Sequence, residues 1–534
     1  MMKLILSIIS LIAMTAGRPM ACATADLIAG LQKGDVMPQI RPGTQHEWGT
    51  PGGFFLIHYD TEGEWAVYHA DEDVNPADGV PDYVNRLGEF LEESYNVIIG
   101  QLGYDPPPFD GGEGGDNRYD IYITNVPART SPESPSDQYP GRPAYSSYIQ
   151  LGHDMRSPRY PDDPYPLLKV SAAHEFFHAT QFAYRVYSSD ASPWWFESTA
   201  CWAEEMVFDD VNDVYFRLPF YLPYLHRSLY QTDSPFVYGA WLFPEYLSER
   251  IGPWIIRRCW EKFASFDLAM EAIIRTFNEF GLDFRDQYCN HIIWDYFTGD
   301  NYRDGFYQEA AYFGETVHLA GIHYFYPVPW TENPVDQENV SGVYIEFRKP
   351  QSDKGSLVLE YSNPTDDVQS ICVAVVRFES SIETSVYPSA NHAITIITVP
   401  DIADCEKVIM MPVWCYEGLP RTGTTHYAYR AYIDSTHTLA SEQATSPVGL
   451  ELTRLYPNPF NGSVTIEFSS PADGDYRLGI YDIGGGLAFE DEETCRAGLN
   501  RYVWKAPADL AAGVYFYRVS FGSQSTTGRM LYLK

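Results

Sequence analysis

His174-Glu175-Phe176-Phe177-His178 puts two imidazoles and a carboxylate within five consecutive residues. Histidines four apart stand one turn above each other on one face of an α-helix, so both rings can reach a single ion. Glu175, about 100° around the helix, flanks whatever position that ion leaves open. These residue types suit a metal-activated water with a general base beside it. With 13 His and at most 72 Glu in 534 residues, composition alone yields the pattern about 0.04 times per chain. The plain alternative is a buried helix whose histidines are satisfied by their neighbours. A catalytic zinc usually takes three protein ligands and leaves a fourth place for water. Glu197, 19 residues beyond His178 in Trp194-Trp195-Phe196-Glu197-Ser198-Thr199-Ala200, is the candidate third ligand.

Positioning these groups requires two helices, and the pattern predicts them over 167–184 and 193–208. The second is opened by Ser192 as N-cap and Pro193 at the first helical position. Two antiparallel helices joined by a short loop could bring Glu197 onto the histidine face. Upstream, Phe54–Tyr59 reads as a strand and Trp65–His69 as a second short one. Val84, Leu87, Leu91, Tyr95, Ile98 and Leu102 recur at helical spacing from Pro81 to near Gly103. Tyr119–Ile123 alternates as a strand, 125–145 is a Pro/Ser/Arg-rich loop, and Ser146–Leu151 resumes β character. Further helices are expected between 238 and 298, including Trp254–Phe263 and Leu268–Phe280. Ahead of the first helix, Asp71, Asp73, Asn75, Asp78 and Asp82 crowd around Gly79. Such oxygen density with a turn suits Ca2+, although the spacing is not that of an EF-hand; the alternative is an acidic turn that caps the helix.

The rest of the chain bounds the class. Its length suggests about three or four domains. Acidic residues outnumber basic ones 72 to 36, and the formal charge of −36 repels phosphate backbones, so nucleic acid is excluded as a partner. Lys3, the apolar run Leu4–Met14 and the small-residue site Ala21-Cys22-Ala23 have the order of a secretory signal peptide over 1–23. Pro19-Met20-Ala21 lacks the aliphatic start of a lipobox, and no later segment has 18 consecutive apolar residues, so no transmembrane segment is expected in the mature chain. Seven cysteines then remain, an odd number that permits one or two disulfides but no framework. After about residue 315 the texture changes to Tyr/Val/Ile-rich strands, as in Gly342–Phe347 and Leu357–Tyr361, which reads as a β-sandwich. Ser, Thr and Ala make a linker over 438–450.

The spacing HExxH, eighteen residues, Glu resembles that of the gluzincins, the thermolysin-like and aminopeptidase-like zinc peptidases. More closely, FFLIHYD, DGVPDYV, GGDNRYDIYI, AAHEFFHATQF, WWFESTACWAEE and YGAWLFPEYLSERIG resemble a family of secreted bacterial metalloproteases known largely from genome sequences. The resemblance implies Zn2+ held by His174, His178 and Glu197, with Glu175 as general base in the hydrolysis of protein or peptide substrates. It also implies an oxyanion-stabilising side chain, either Tyr238 or His226, with Tyr238 favoured. Glu204 or Glu205 would orient a ligating imidazole, the plain alternative for both being salt-bridging on a solvated face, and Ser146–Leu151 would supply the edge strand that pairs with extended substrate, although the residues alone allow an interior strand equally well.

A second resemblance sits at the C-terminus. Leu455-Tyr456-Pro457-Asn458-Pro459-Phe460-Asn461, followed by Val464–Phe468, Leu478–Asp482 and Gly513–Val519, looks like the C-terminal sorting domain of the type IX secretion system. More distantly it resembles the immunoglobulin-like domain of flagellar hook-capping proteins. It implies a small β-sandwich, the type IX machinery as partner, and export across the outer membrane. The expected architecture is multidomain: signal peptide 1–23, an α+β zincin-like metallopeptidase domain over 24–314, a β-sandwich over 315–437, the linker, and a sorting β-sandwich over 451–534. The competing classes are a surface binding or adhesion protein that keeps the scaffold without turnover, and a zinc hydrolase of non-peptide bonds. Fewer than about 35 residues separate Thr24 from Phe54, too few for a self-folding pro-domain, so any latency must arise otherwise.

Overall fold

Phe55–Tyr59 is buried along its whole length, as a strand covered on both faces must be. In the computed structural model it is the second of five strands in one mixed sheet. These are β1 (His46–Gly49), β2 (Phe55–Tyr59), β3 (Tyr119–Thr124), β4 (Ala128–Pro135) and β5 (Tyr145–Gly152), in the order β1-β2-β3-β5-β4. β2, β3 and β5 run parallel, and β1 and β4 close the two edges antiparallel. The structure describes residues 24, 27–28, 40–126, 128–186, 192–233, 235–349, 355–378, 381–416, 422–435, 450–456, 460, 462–507, 510–522 and 524–532. The expected signal peptide, nearly all of the expected linker and Pro457–Pro459 lie outside them.

Helix α1 (Asp82–Tyr95) follows Pro81, continues through one wider turn over Asn96–Gln101, and ends before Gly103, whose φ of 75° suits glycine just past a helix. Helix α2 (Tyr165–Gln181) is buried almost all round, packing on β4 and β5 and against α1 and α3 (Pro193–Phe208). Apolar residues on every side, among them Leu168, Val170, Phe176 and Phe177, account for that central place. Trp194 and Trp195, fully buried, anchor the first turn of α3.

The chain divides into two compact units. The first comprises residues up to 217 with 232–241 and 263–268, and so contains the sheet, α1–α3 and the short helix α4 (Phe236–Gly239). The second takes 218–231, 242–262 and 269–534. The expected 24–314 domain is therefore divided, its segments 218–231, 242–262 and 269–314 belonging to the second unit. In that unit, sheets of six and four strands enclose a core that includes Ile345, Phe347, Leu359, Val373 and Met410. Sheets of three and four strands between Glu451 and Tyr532 enclose another around Phe468, Ile480, Trp504 and Val519. The molecule is thus multidomain and mostly β, with several helices.

Three expectations need correction. Trp65–His69 is a series of turns with a single bridge, Asp60 to Ala66, and His69 has a left-handed φ of 47°. The stretch 125–145 contains the edge strand β4, so Ser146–Leu151 lies in an interior strand. The seven cysteines are all buried, and no disulfide joins any two of them among the described residues.

Candidate metal centre

On α2, His174 and His178 bring their Nε2 atoms within 3.1 Å of each other. Glu197, one turn into α3, directs Oε2 to 3.4 Å from the first and 3.6 Å from the second. All three residues are buried. Zinc bonds of about 2.05 Å at tetrahedral angles separate neighbouring ligand atoms by about 3.3 Å, and the three observed separations bracket that value.

The protons of the two rings sharpen this fit. His174 Nδ1 lies 2.7 Å from Glu204 Oε1 and His178 Nδ1 lies 2.8 Å from Gln181 Oε1. A carboxylate only accepts, and the Gln181 amide is oriented by its Nε2 donating to Phe196 O at 2.9 Å and Thr199 Oγ1 at 3.1 Å. Both rings therefore donate from Nδ1, and both turn Nε2 toward the Glu197 carboxylate. Neither oxygen of Glu197 has a hydrogen-bond partner. Burial alone would raise this carboxyl, but the facing imidazoles, His178 foremost and then His174, hold it at about 2 when protonated. A buried carboxylate with no hydrogen-bond donor on either oxygen is costly, and a cation held between it and the two Nε2 atoms would remove the cost. These residues fit a zinc ion.

Around them stands a supporting layer. Arg217 Nη2 lies 3.2 Å from Glu204 Oε1, its Nη1 donates to Cys201 Sγ at 3.1 Å, and its guanidinium lies 5.0 Å over the Tyr238 ring. Burial opposes the Arg217 charge, but Cys201, Glu204, Asp213 and Tyr238 keep it protonated. His174, Cys201 and Glu204 also come close enough to share an ion, but the Arg217 cation already serves that cluster. Of the two acidic residues considered as orienting groups, Glu204 reaches an imidazole.

Glu175 is fully buried. Its Oε2 accepts from Thr130 Oγ1 of β4 at 2.8 Å and from Thr24 Oγ1 at 3.0 Å, while Oε1 has no hydrogen-bond partner. Tyr238 on α4 has its ring 6.5 Å from that of His174. His226 belongs to the second unit, beside Tyr224. Thr24, Thr130, Gln181 and Arg217 escaped the sequence reading. Gln181, three residues beyond His178 on the same helix, had a readable spacing; Thr130 was hidden in a stretch read as loop.

The acidic loop is built as a turn. Asp73 accepts from the backbone N–H groups of Asp78 and Gly79, and Asp82 from those of Val74 and Asn75. The Val74 and Asn75 bonds hold the Asp82 carboxyl below its ordinary value. Among the described residues, the clusters able to share an ion do not include Asp71, Asp73, Asn75, Asp78 or Asp82. Asp73, Asp78 and Asp82 thus spend carboxylate oxygens on backbone amides of the loop itself.

Residues 454–532 match the family described as the secretion system C-terminal sorting domain. The chain is accordingly a type IX secreted, cell-surface protein, and among the described residues no helix is long and apolar enough to cross a membrane. No curated protein matches the chain. Solved structures similar to it include a GH2 β-galacturonidase from Eisenbergiella tayi bound to glycerol, at 12% identity over 36% of this chain and 35% of that one, with a TM-score of 0.15. Dimeric latent PorU from Porphyromonas gingivalis matches at 10% identity over 36% and 32%, also at 0.15. A β-1,2-glucanase from Parabacteroides distasonis matches at 11% identity over 38% and 30%, at 0.13. The matches span about a third of the length of those proteins, and superpositions this loose define no shared fold.

Proposed function

We propose that this protein is a secreted zinc-dependent endopeptidase whose zincin-like unit carries the chemistry and whose C-terminal domain directs its export. The observation that carries the reading is the triangle of His174 Nε2, His178 Nε2 and Glu197 Oε2, with edges of 3.1, 3.4 and 3.6 Å, beside the carboxylate of Glu175. Zinc held there by His174, His178 and Glu197 would supply Lewis acidity and would acidify a water for attack. Glu204 and Gln181 keep the two rings turned with Nε2 inward. Thr130 holds Oε2 of Glu175 and leaves Oε1 to take the proton of the attacking water and deliver it to the leaving amine. The outer edge of β4 offers backbone groups along which an extended peptide can lie. Tyr238, steadied by Arg217 over its ring, is the hydroxyl assigned to the developing oxyanion.

The test is zinc content and casein hydrolysis for the parent and Glu175→Gln. One zinc per chain in both, with cleavage in the parent alone, is the expected result. Zinc in both and cleavage in neither would favour a binding protein on the same scaffold, and activity confined to ester or glycan substrates a hydrolase of another class.

A further inference from the structure

Alternation along a strand turns every second side chain of a sandwich sheet outward. In the matched C-terminal domain, β6 (Gly474–Asp482), β7 (Leu487–Cys495), β8 (Gly513–Phe521) and β9 (Gln524–Tyr532) form one sheet in the order β7-β6-β8-β9. Tyr515, Tyr517 and Val519 of β8 enter the sandwich core. Phe516 and Arg518 therefore face outward, in register with Tyr481 and Gly479 of β6 and with Arg529 and Thr527 of β9. An outward phenylalanine should meet water, yet Phe516 is 3% exposed.

Its cover is the helical part of the same compact unit. Ile251, Trp254, Phe280 and Leu282 line one cleft with Phe516 and Arg518. They come from the start of α6 (Trp254–Phe263) and from the turns that follow α5 (Leu242–Arg250) and α7 (Ala269–Glu279). Both turns carry a glycine where a side chain would collide. A Cβ on Gly252 would stand 2.7 Å from Phe516 Cζ, and one on Gly281 would stand 2.5 Å from Arg518 Nη2. Bare backbone at these two places lets the sheet approach closely. Polar bonds join the same surfaces: Ser525 Oγ donates to Gly281 O at 2.9 Å, and Arg257 Nη2 donates to Gly484 O at 3.0 Å. An aromatic and an arginine anchor in desolvated seats, with hydrogen bonds beside them, are the parts of a specific interface.

We propose that the sorting domain is a docked module: the outer face of β6–β9 binds the helical part of its own chain, holds without the linker, and is closed to the secretion machinery, which is left the domain's other surfaces. A short flexible tether supplies an effective concentration of about the millimolar range, and the interface makes that help unnecessary. The inference stands apart from the zinc reading.

The experiment uses the full chain with a recognition site for a sequence-specific protease inserted in the expected 438–450 linker. Parent, Phe516→Asp and Phe280→Asp are cut and passed through gel filtration at about 1 µM. Phe280→Asp leaves the sorting domain's own sequence untouched, so a misfolded sandwich cannot account for what it does. The expected result is co-elution of the two parent fragments and its loss in both variants. Separation of the parent fragments overturns the docked module, and co-elution in both variants overturns the assigned face. The uncut variants are also expressed in the exporting cell and labelled at the surface. Both should be displayed as the parent is. Loss of display for Phe516→Asp, with Phe280→Asp still displayed, would show the machinery reading this face itself and overturn its assignment to the body.

Discussion

Replacing Glu204 by Gln separates the metal centre from the ion pair built beside it. The carboxylate accepts from His174 Nδ1 at 2.7 Å and pairs with Arg217 at 3.2 Å from the same oxygen. Glutamine fills the same space and can still accept, but as a neutral group. Hydrogen bonds to charged partners are roughly twice as strong as neutral ones, so the exchange costs His174 about 1.5 kcal/mol of orientation. That corresponds to about tenfold weaker zinc binding, within the range expected for a group that orients a ligand. Arg217 is affected separately. It keeps Asp213 at 3.8 Å and Cys201, so the expected stability loss is about 2 kcal/mol, below that of a buried charge left with no partner. Adding Arg217→Met should return most of the stability while leaving zinc binding weak. Zinc competition against a fluorescent chelator and denaturant titration of the metal-free protein measure the two effects. Zinc affinity of Glu204→Gln within twofold of the parent would refute the orienting role. Recovery of affinity in the double variant would show that Glu204 serves only to balance Arg217.

Thr130→Val, which removes a hydroxyl from Glu175 Oε2, should lower kcat about tenfold with zinc content unchanged; zinc analysis beside peptide kinetics checks both halves. In the metal-free protein, Glu197 is held at about 2. The stability it contributes is complete above its ordinary value near 4.5 and is lost as the pH falls towards 2. Denaturation free energies across that range should fall for the parent and stay flatter for Glu197→Gln. Deleting 451–534, which contains the matched sorting domain, should leave the protein inside the outer membrane, as fractionation and surface labelling would record.

The central site was legible because a helix repeats every 3.6 residues. Two histidines four apart must share a face, and Glu197 on a helix opened by Pro193 had few other places to go. The same logic reached Glu204, seven residues beyond Glu197, without distinguishing it from Glu205. What escaped depended on contacts distant in sequence. Pro132 and Pro135 disguised β4 as a loop, although an edge strand tolerates proline because its outward amides need no partner in the sheet. With β4 went Thr130 and the identity of the substrate edge. Trp65–His69 carried strand-forming residues but lies in successive turns. The acidic residues near Gly79 have the composition of a cation site, and only their bonds to backbone amides reveal a turn. The division of helical segments between two units left no local mark in the chain.

The absence of cystine bridges among the described residues has a practical side for a protein that leaves the cell. Secreted chains usually meet oxidising surroundings, and here concealment takes the place of cross-linking as protection. Burial pushes the Cys201 thiol up to about 11 and raises Cys259 and Cys372 further still, so almost no nucleophilic sulfur is presented while the fold is intact. Alkylation by iodoacetamide should therefore follow the rate at which the native state opens, making the sulfurs built-in reporters of global unfolding.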